Sequence, residues 1–177
     1  LEWRWVYAAQ HKETFDQTLK FFGLPQAHYK VFDWDSEAKT IFKYIYWMWR
    51  MTLALVSSKK ILAGYTGKEH IVLTHGDTTT TVFGALIGKL TRTKVMHVES
   101  GLRSFNIFHP FPEEINRLIT FRLSDYYACP GEWALGNVKK FKGIKVNTIE
   151  NTQMDVLEYG LKNIKKATIK LPRGKYV

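Results

Sequence analysis

The sequence predicts an α/β domain built on a parallel sheet flanked by helices. From residue 70 onward, short apolar runs of strand length alternate with segments of helical period. No two-residue hairpin turn joins any pair of these runs, so successive strands need crossover connections. Hydrophobic residues make up 45% of the 177, which is enough for one real core, while the chain is too short for two full domains.

Taken in order, Trp5-Val6-Tyr7-Ala8-Ala9 reads as a short buried strand. Lys12 to Phe22 is predicted to be a helix with Phe15, Leu19 and Phe22 on one face, stopped by Gly23 and followed by Pro25. Tyr29 to Phe32 is a second strand candidate, and Asp35 or Ser36 then caps a long helix reaching about Ala63. That helix holds Trp47, Met48, Trp49 and Met51, more large apolar surface than one stripe needs. It is therefore either a dimer face or a fully buried core helix. After Gly67 the rhythm is regular. His70–Thr74 is a strand, and the next helix carries Val82, Phe83, Leu86, Ile87 and Leu90. Lys94–Val98 is a strand, and a loop with Gly101 leads to Pro112, the expected first residue of a helix ending at Leu123. A strand at Tyr126–Cys129, a helix near Glu132–Phe141, a strand at Lys145–Ile149 and a helix over Thr152–Lys166 complete the pattern. Residues 1–170 are read as one domain, and residues 171–177, from Leu171-Pro172-Arg173-Gly174 on, as a linker opening onto another.

The net charge of +10 raises nucleic-acid binding as a function class. Its distribution argues against that class. From Lys139 to Val177 there are ten basic and three acidic residues, while the first 138 residues hold 16 and 13. The tail interleaves its cations with only Phe141, Tyr159 and Tyr176, which suits a solvated helix end and linker better than a nucleic-acid reader. The longest apolar stretch, Ile41 to Val56, is interrupted by Lys43 and Arg50 and is too short to span a bilayer, so no membrane partner is expected. A single cysteine, Cys129, excludes an intramolecular disulfide framework and suits a reducing, cytoplasmic setting. Its apolar surroundings predict a buried strand residue.

In open α/β sheets, ligands bind outside the carboxyl ends of the strands, and three unusual segments fall at that edge. His75-Gly76-Asp77-Thr78-Thr79-Thr80-Thr81 follows a strand. Gly76 permits a sharp turn, and the threonines stand at a helix start, where free N–H groups and the dipole favour anions. Asp77 or Thr78 could simply cap that helix. Four β-branched residues in a row are poor helix formers, however, and point to hydroxyls wanted for hydrogen bonding. His97-Val98-Glu99-Ser100-Gly101-Leu102-Arg103 follows the next strand and would place Glu99 beside Asp77. Paired carboxylates raise one another's pKa, which suits one of them to general acid or base work. The plainer alternative is a Glu99–Arg103 surface pair. His97 lies inside the strand and reads as a packed or supporting histidine, while His75 could serve either way. Pro110-Phe111-Pro112-Glu113-Glu114-Ile115-Asn116-Arg117 delivers two acids to a first helical turn, where the dipole stabilises them and Glu113 can pair with Arg117. The six histidines are scattered, so no metal-site spacing is present, and no GxGxxG or Walker pattern occurs.

Together these three motifs, in this order, resemble the non-hydrolysing UDP-N-acetylglucosamine 2-epimerases. The segment Ala9-Gln10-His11-Lys12 with Asp16-Gln17 is similar to that family's QH region, so the resemblance covers nearly the whole chain. It implies one Rossmann-like half of a glycosyltransferase-B-type two-domain fold, usually dimeric, with the active site in the cleft. It also implies reversible inversion at C2 of a UDP-sugar, giving UDP-N-acetylmannosamine for surface polysaccharides without a nicotinamide cofactor. Carried over residue by residue, Asp77, Glu99 and Glu113 match the family's functional acids, and His75, Thr78, Arg103, Gln10 and His11 its substrate side. The family's opening strand, its basic glycine–arginine loop and its C-terminal domain have no counterpart in the sequence, and Glu150-Asn151-Thr152 stands where a glycine–asparagine–threonine segment is usual. A hydrolysing epimerase or a glycosyltransferase of the same architecture is the nearest alternative. A non-catalytic binding or assembly module is the alternative from another class.

Overall fold

A computed structural model describes residues 2–8, 12–32 and 40–163. The main sheet has four strands, β3 (Ile71–His75), β4 (Lys94–Val98), β5 (Tyr126–Cys129) and β6 (Ile144–Asn147), in the order β3-β4-β5-β6. All three pairings are parallel, with His75 opposite Val98 and Val98 opposite Ala128. Their carboxyl ends therefore lie along one edge. A separate two-stranded parallel sheet pairs β1 (Val6–Tyr7) with β2 (Tyr29–Lys30). The crossovers after residue 70 are α4 (Thr79–Leu90), α5 (Glu113–Leu123) and α6 (Gly131–Val138), and α7 (Thr152–Asn163) follows β6. The α/β parallel architecture expected from the alternation is present.

Two apolar clusters hold the layers together. Phe121, Tyr127, Cys129, Ala134 and Val138 join α5 and α6 to β5. Cys129 is fully buried, and burial pushes its thiol up to about 11. Ala8, Phe32, Trp47, Met51 and Phe83 form the second cluster, which ties the small sheet to α4 through α2 (Ile41–Ala54). Gly88 lets α4 seat on β4, because a Cβ there would stand 2.5 Å from a Val95 methyl. At the foot of the sheet Asp125 accepts the Val95 N–H at 3.0 Å and pairs with Lys89 at 2.9 Å. Burial alone would raise its carboxyl, but these partners outweigh it and hold it below the usual range.

The first third of the chain departs most from expectation. Helix α1 (Lys12–Phe21) ends as predicted at Gly23, whose φ of +63° and backbone bond to Lys20 make a left-handed cap. The long helix is in fact three pieces. Its cap is Thr40, whose hydroxyl accepts the Lys43 N–H, and residues 33–39, including Asp35 and Ser36, lie outside the described residues. The helix stops at Ala54, a 3-10 turn covers Leu55–Ser57, and α3 (Ser58–Leu62) ends at Ala63 with φ +44°. The Ser58 hydroxyl bonds the Leu55 carbonyl at 2.5 Å, a local hydrogen bond of the kind by which serine breaks helical continuity. Smaller shifts occur elsewhere. Pro112 occupies the N-cap of α5 rather than its first turn, α6 is shorter than predicted, and β6 begins one residue early. Residues 164–177, with the expected linker, lie outside the described residues.

Candidate active site

The site is built from three turns at the carboxyl edge of the sheet. At the first, β3 ends at His75, Gly76 turns with φ +73°, and Thr78 caps α4 by accepting the Thr81 N–H at 3.4 Å. The neighbouring hydroxyls are used within the protein. Thr81 donates to the His75 carbonyl at 2.6 Å, and Thr79 meets the Tyr44 hydroxyl at 2.5 Å and the Asn116 amide at 3.4 Å. The threonine run thus fixes the loop that presents Asp77. This is a hydrogen-bonding use of the kind that the run of β-branched residues suggested.

At the second turn, Glu99 follows β4 with a φ of +58°, and its side chain is nine-tenths buried. Its carboxylate accepts the Thr152 hydroxyl at 2.5 Å and lies 3.4 Å from His75 Nε2. His75 in turn stands 3.1 Å from the same hydroxyl. Thr152, the first residue of α7, is a site residue whose role the sequence reading missed. The Glu150-Asn151-Thr152 segment stood out, but only the fold brings it to β3 and β4. Gly101 then passes so close to α6 that a Cβ would lie 2.0 Å from the Ala134 carbonyl oxygen.

The third turn begins α5. Asn116 donates to the Asp77 carbonyl at 3.0 Å, and the Arg117 guanidinium pairs with the Asp77 carboxylate. Arg117 also reaches Glu114 at 3.3 Å. Glu114 is fully buried, pairs with Arg103 and accepts the Ser104 N–H at 3.1 Å and its hydroxyl at 3.2 Å. Burial would raise its carboxyl, but the Ser104 N–H and the two guanidiniums outweigh that and hold it below the usual range. Glu113, one turn before Arg117, has a buried carboxylate oxygen with no hydrogen-bond partner among the described residues. Such an atom is costly to leave unmet.

Two expected pairings are therefore corrected. Arg117 serves Asp77 and Glu114 rather than Glu113, because Glu114 rather than Glu113 faces the Arg103 side of the helix. Arg103 turns inward to Glu114 and over the Phe105 ring, with its charge 4.8 Å from the centroid, so no Glu99–Arg103 pair forms. Asp77 and Glu99 come from adjacent strand ends, yet each has its own partner, Arg117 for one and Thr152 with His75 for the other. Gln10 and His11 lie outside the described residues.

Behind both turns stands His97, 1% exposed. Its Nε2 lies 2.7 Å from the Gly76 carbonyl and its Nδ1 2.9 Å from the Ser100 hydroxyl. A carbonyl only accepts, so Nε2 carries the proton and Nδ1 accepts from Ser100. Burial lowers this histidine to about 4, against a partial opposing pull from the Gly76 carbonyl, so the ring is neutral near pH 7.

A family model described as UDP-N-acetylglucosamine 2-epimerase matches residues 1–177. The chain is 34% identical over 165 residues to a UDP-N-acetylglucosamine 2-epimerase of Neisseria meningitidis, covering 92% of this chain and 41% of that protein. It is 36% identical over 155 residues to the Bacillus subtilis protein of the same name, covering 84% and 37%. The chain thus spans about two fifths of the length of these curated relatives. Among solved structures, the N. meningitidis UDP-GlcNAc 2-epimerase bound to UDP-GlcNAc superposes with a TM-score of 0.70 at 29% identity, covering 87% of this chain and 40% of that one. The Methanocaldococcus jannaschii UDP-GlcNAc 2-epimerase in complex with UDP-GlcNAc and UDP gives 0.75 at 27% identity, covering 95% and 44%. A parallel sheet with three acid-bearing turns on one edge, matched from end to end by that family's pattern, places the chain in the UDP-N-acetylglucosamine 2-epimerase family.

Proposed function

We propose that this chain forms the acid-bearing half of a non-hydrolysing UDP-N-acetylglucosamine 2-epimerase that interconverts UDP-N-acetylglucosamine and UDP-N-acetylmannosamine for surface polysaccharide synthesis. The observation that carries the reading is the grouping of Asp77, Glu99 and Glu113 at one strand edge, with one Glu113 oxygen buried and unmatched among the described residues. A carboxylate held this way is suited to meet a ligand or a proton.

The chemistry needs a base for the C2 proton and departure of UDP as the C1–O bond breaks, leaving a glycal. A proton then returns to the opposite face of C2 as UDP adds back at C1. The cycle is redox-neutral, and the three acids are the groups to carry its protons or meet its developing charge. His75, Thr78 and Arg103, with Gln10 and His11, form the substrate side in this reading. A second domain closes the cleft, and the 177-residue stretch alone is inactive. The whole protein works in the cytoplasm as a homodimer.

Turnover in deuterated water should place deuterium at C2. In the full-length protein, Asp77→Asn, Glu99→Gln and Glu113→Gln are each expected to cut exchange and product together by ~10²- to 10⁴-fold. Near wild-type exchange in all three would remove the acids from the chemistry. Release of free sugar with UDP, in place of a UDP-sugar mixture, would favour a hydrolysing enzyme.

A further inference from the structure

We infer that His97 is the positioning residue that locks the Asp77 and Glu99 turns to each other. The inference rests on the epimerase reading for its kinetic consequence, but not for its geometry. Two successive strand ends turn through left-handed backbone, Gly76 at φ +73° and Glu99 at φ +58°. Glycine adopts this readily. For glutamate it is unfavourable and persists only where the surroundings over-determine it.

The surroundings here converge on one ring. The Nε2 proton of His97 holds the Gly76 carbonyl, one residue before Asp77. Its Nδ1 holds the hydroxyl of Ser100, one residue after Glu99. Ser100 is itself fully buried and anchored by its N–H on the Ala128 carbonyl at 2.8 Å. Gly76 donates its own N–H to the Val98 carbonyl at 3.3 Å, just before Glu99. The ring also packs on Phe121 at 5.5 Å between centroids, which sets it against the body of α5, the helix that begins at Glu113. One imidazole therefore hydrogen-bonds the turns that carry Asp77 and Glu99 and packs on the helix that begins at Glu113. Loss of such a brace matters, because a misplacement of about 1 Å at reacting groups can cost ~10²-fold in rate.

The two halves of the brace can be removed separately. In His97→Gln the amide nitrogen can still reach Gly76 while the Ser100 contact is lost. In His97→Asn the amide oxygen can still accept from Ser100 while Gly76 is released. The first measurement is backbone amide exchange by NMR on the full-length protein, which needs no assumption about activity. The Gly76 amide should exchange faster in His97→Asn and the Ser100 amide faster in His97→Gln, each by about tenfold or more, with the other amide unchanged. The second is kinetic, and each variant should lower kcat by roughly 10- to 100-fold with KM little changed. Adding Asp77→Asn should cost much less in the His97→Asn background than in wild type, but nearly its full amount in His97→Gln. Uniform loss of protection in both variants, or additive kinetics in both backgrounds, overturns the inference and leaves His97 a packing residue. The selective exchange pattern in a protein without epimerase activity keeps the brace and removes the epimerase reading instead.

Discussion

At the scale of single residues, Glu114 and Arg117 show how an acid-rich turn can be stable away from water. Glu114 sits between two guanidiniums and accepts a backbone N–H, so its charge is paired and hydrogen-bonded on every side that matters. Glu114→Ala leaves the mostly buried Arg103 without its carboxylate and Arg117 with Asp77 alone, and is expected to cost ~3–5 kcal/mol in urea unfolding. Such a loss separates it from Glu113→Gln, which removes no pairing and should alter stability little. The pH dependence of folding follows from His97. Its folded pKa of about 4 lies below its ordinary value near 6.5, so the unfolded chain binds more protons between those values. Its contribution, ~3 kcal/mol, is complete above pH 6.5 and is lost as pH falls toward 4. Glu114, also lowered, adds to the loss at still more acidic pH. Denaturant midpoints measured from pH 7.5 to 4 should fall in wild type, and the part above pH 5 should shrink in His97→Gln.

At the scale of elements, α2 divides its aromatics between core and surface, so it is not the fully buried helix that its composition allowed. Trp47 is completely buried, donates its indole N–H to the Ala8 carbonyl at 2.9 Å and stacks on Tyr44. It is a core residue and not part of a dimer face, as is Met51. On the opposite side Phe42 is 82% exposed and Trp49 54%, with Ile45 and Leu53 also open. The helix is thus buried on one stripe and apolar on the other, which supports the homodimer reading for the outer stripe alone. Trp47→Glu is expected to unfold the domain, whereas Phe42→Glu and Trp49→Glu should leave the melting temperature nearly unchanged and shift the full-length protein toward monomer in sedimentation. Dimers that persist in both surface variants would reject this face. Gly101 makes the corresponding point for the loop after β4. Gly101→Ala would drive a methyl into the Ala134 carbonyl at a φ of +90°, and it should destabilise by at least ~2 kcal/mol in thermal melts.

At the scale of the whole molecule, the described residues place the acids along one sheet edge, and the relatives are somewhat more than twice as long as this chain. On the proposed reading, the purified 177-residue chain should show no interconversion of UDP-sugars by proton NMR at C1 and C2. Turnover at a rate comparable to the full-length enzyme would show that one wall suffices.

The alternation of apolar runs with helical segments was enough to specify a parallel sheet, because period and crossover length are local properties of a chain. The candidate acids were legible for a related reason. Each follows a strand directly or opens a helix, and in a parallel sheet that position alone assigns it to the carboxyl edge. Partners were a different matter. Arg117 has acids at i−4 and i−3, and spacing favours neither; the rotation of α5 against α4 and β3 decides that it serves Glu114 and Asp77. Thr152 lies 53 residues from Glu99, and only the order of the strands brings its hydroxyl to that carboxylate. Similarly, no periodicity tells Trp47 from Trp49 until the small sheet and α4 cover one stripe of α2. Sequence pattern determined most of the elements and the edge that carries the candidate acids. Tertiary packing decided which charges meet, because ion pairing and burial depend on distances that a linear order does not contain.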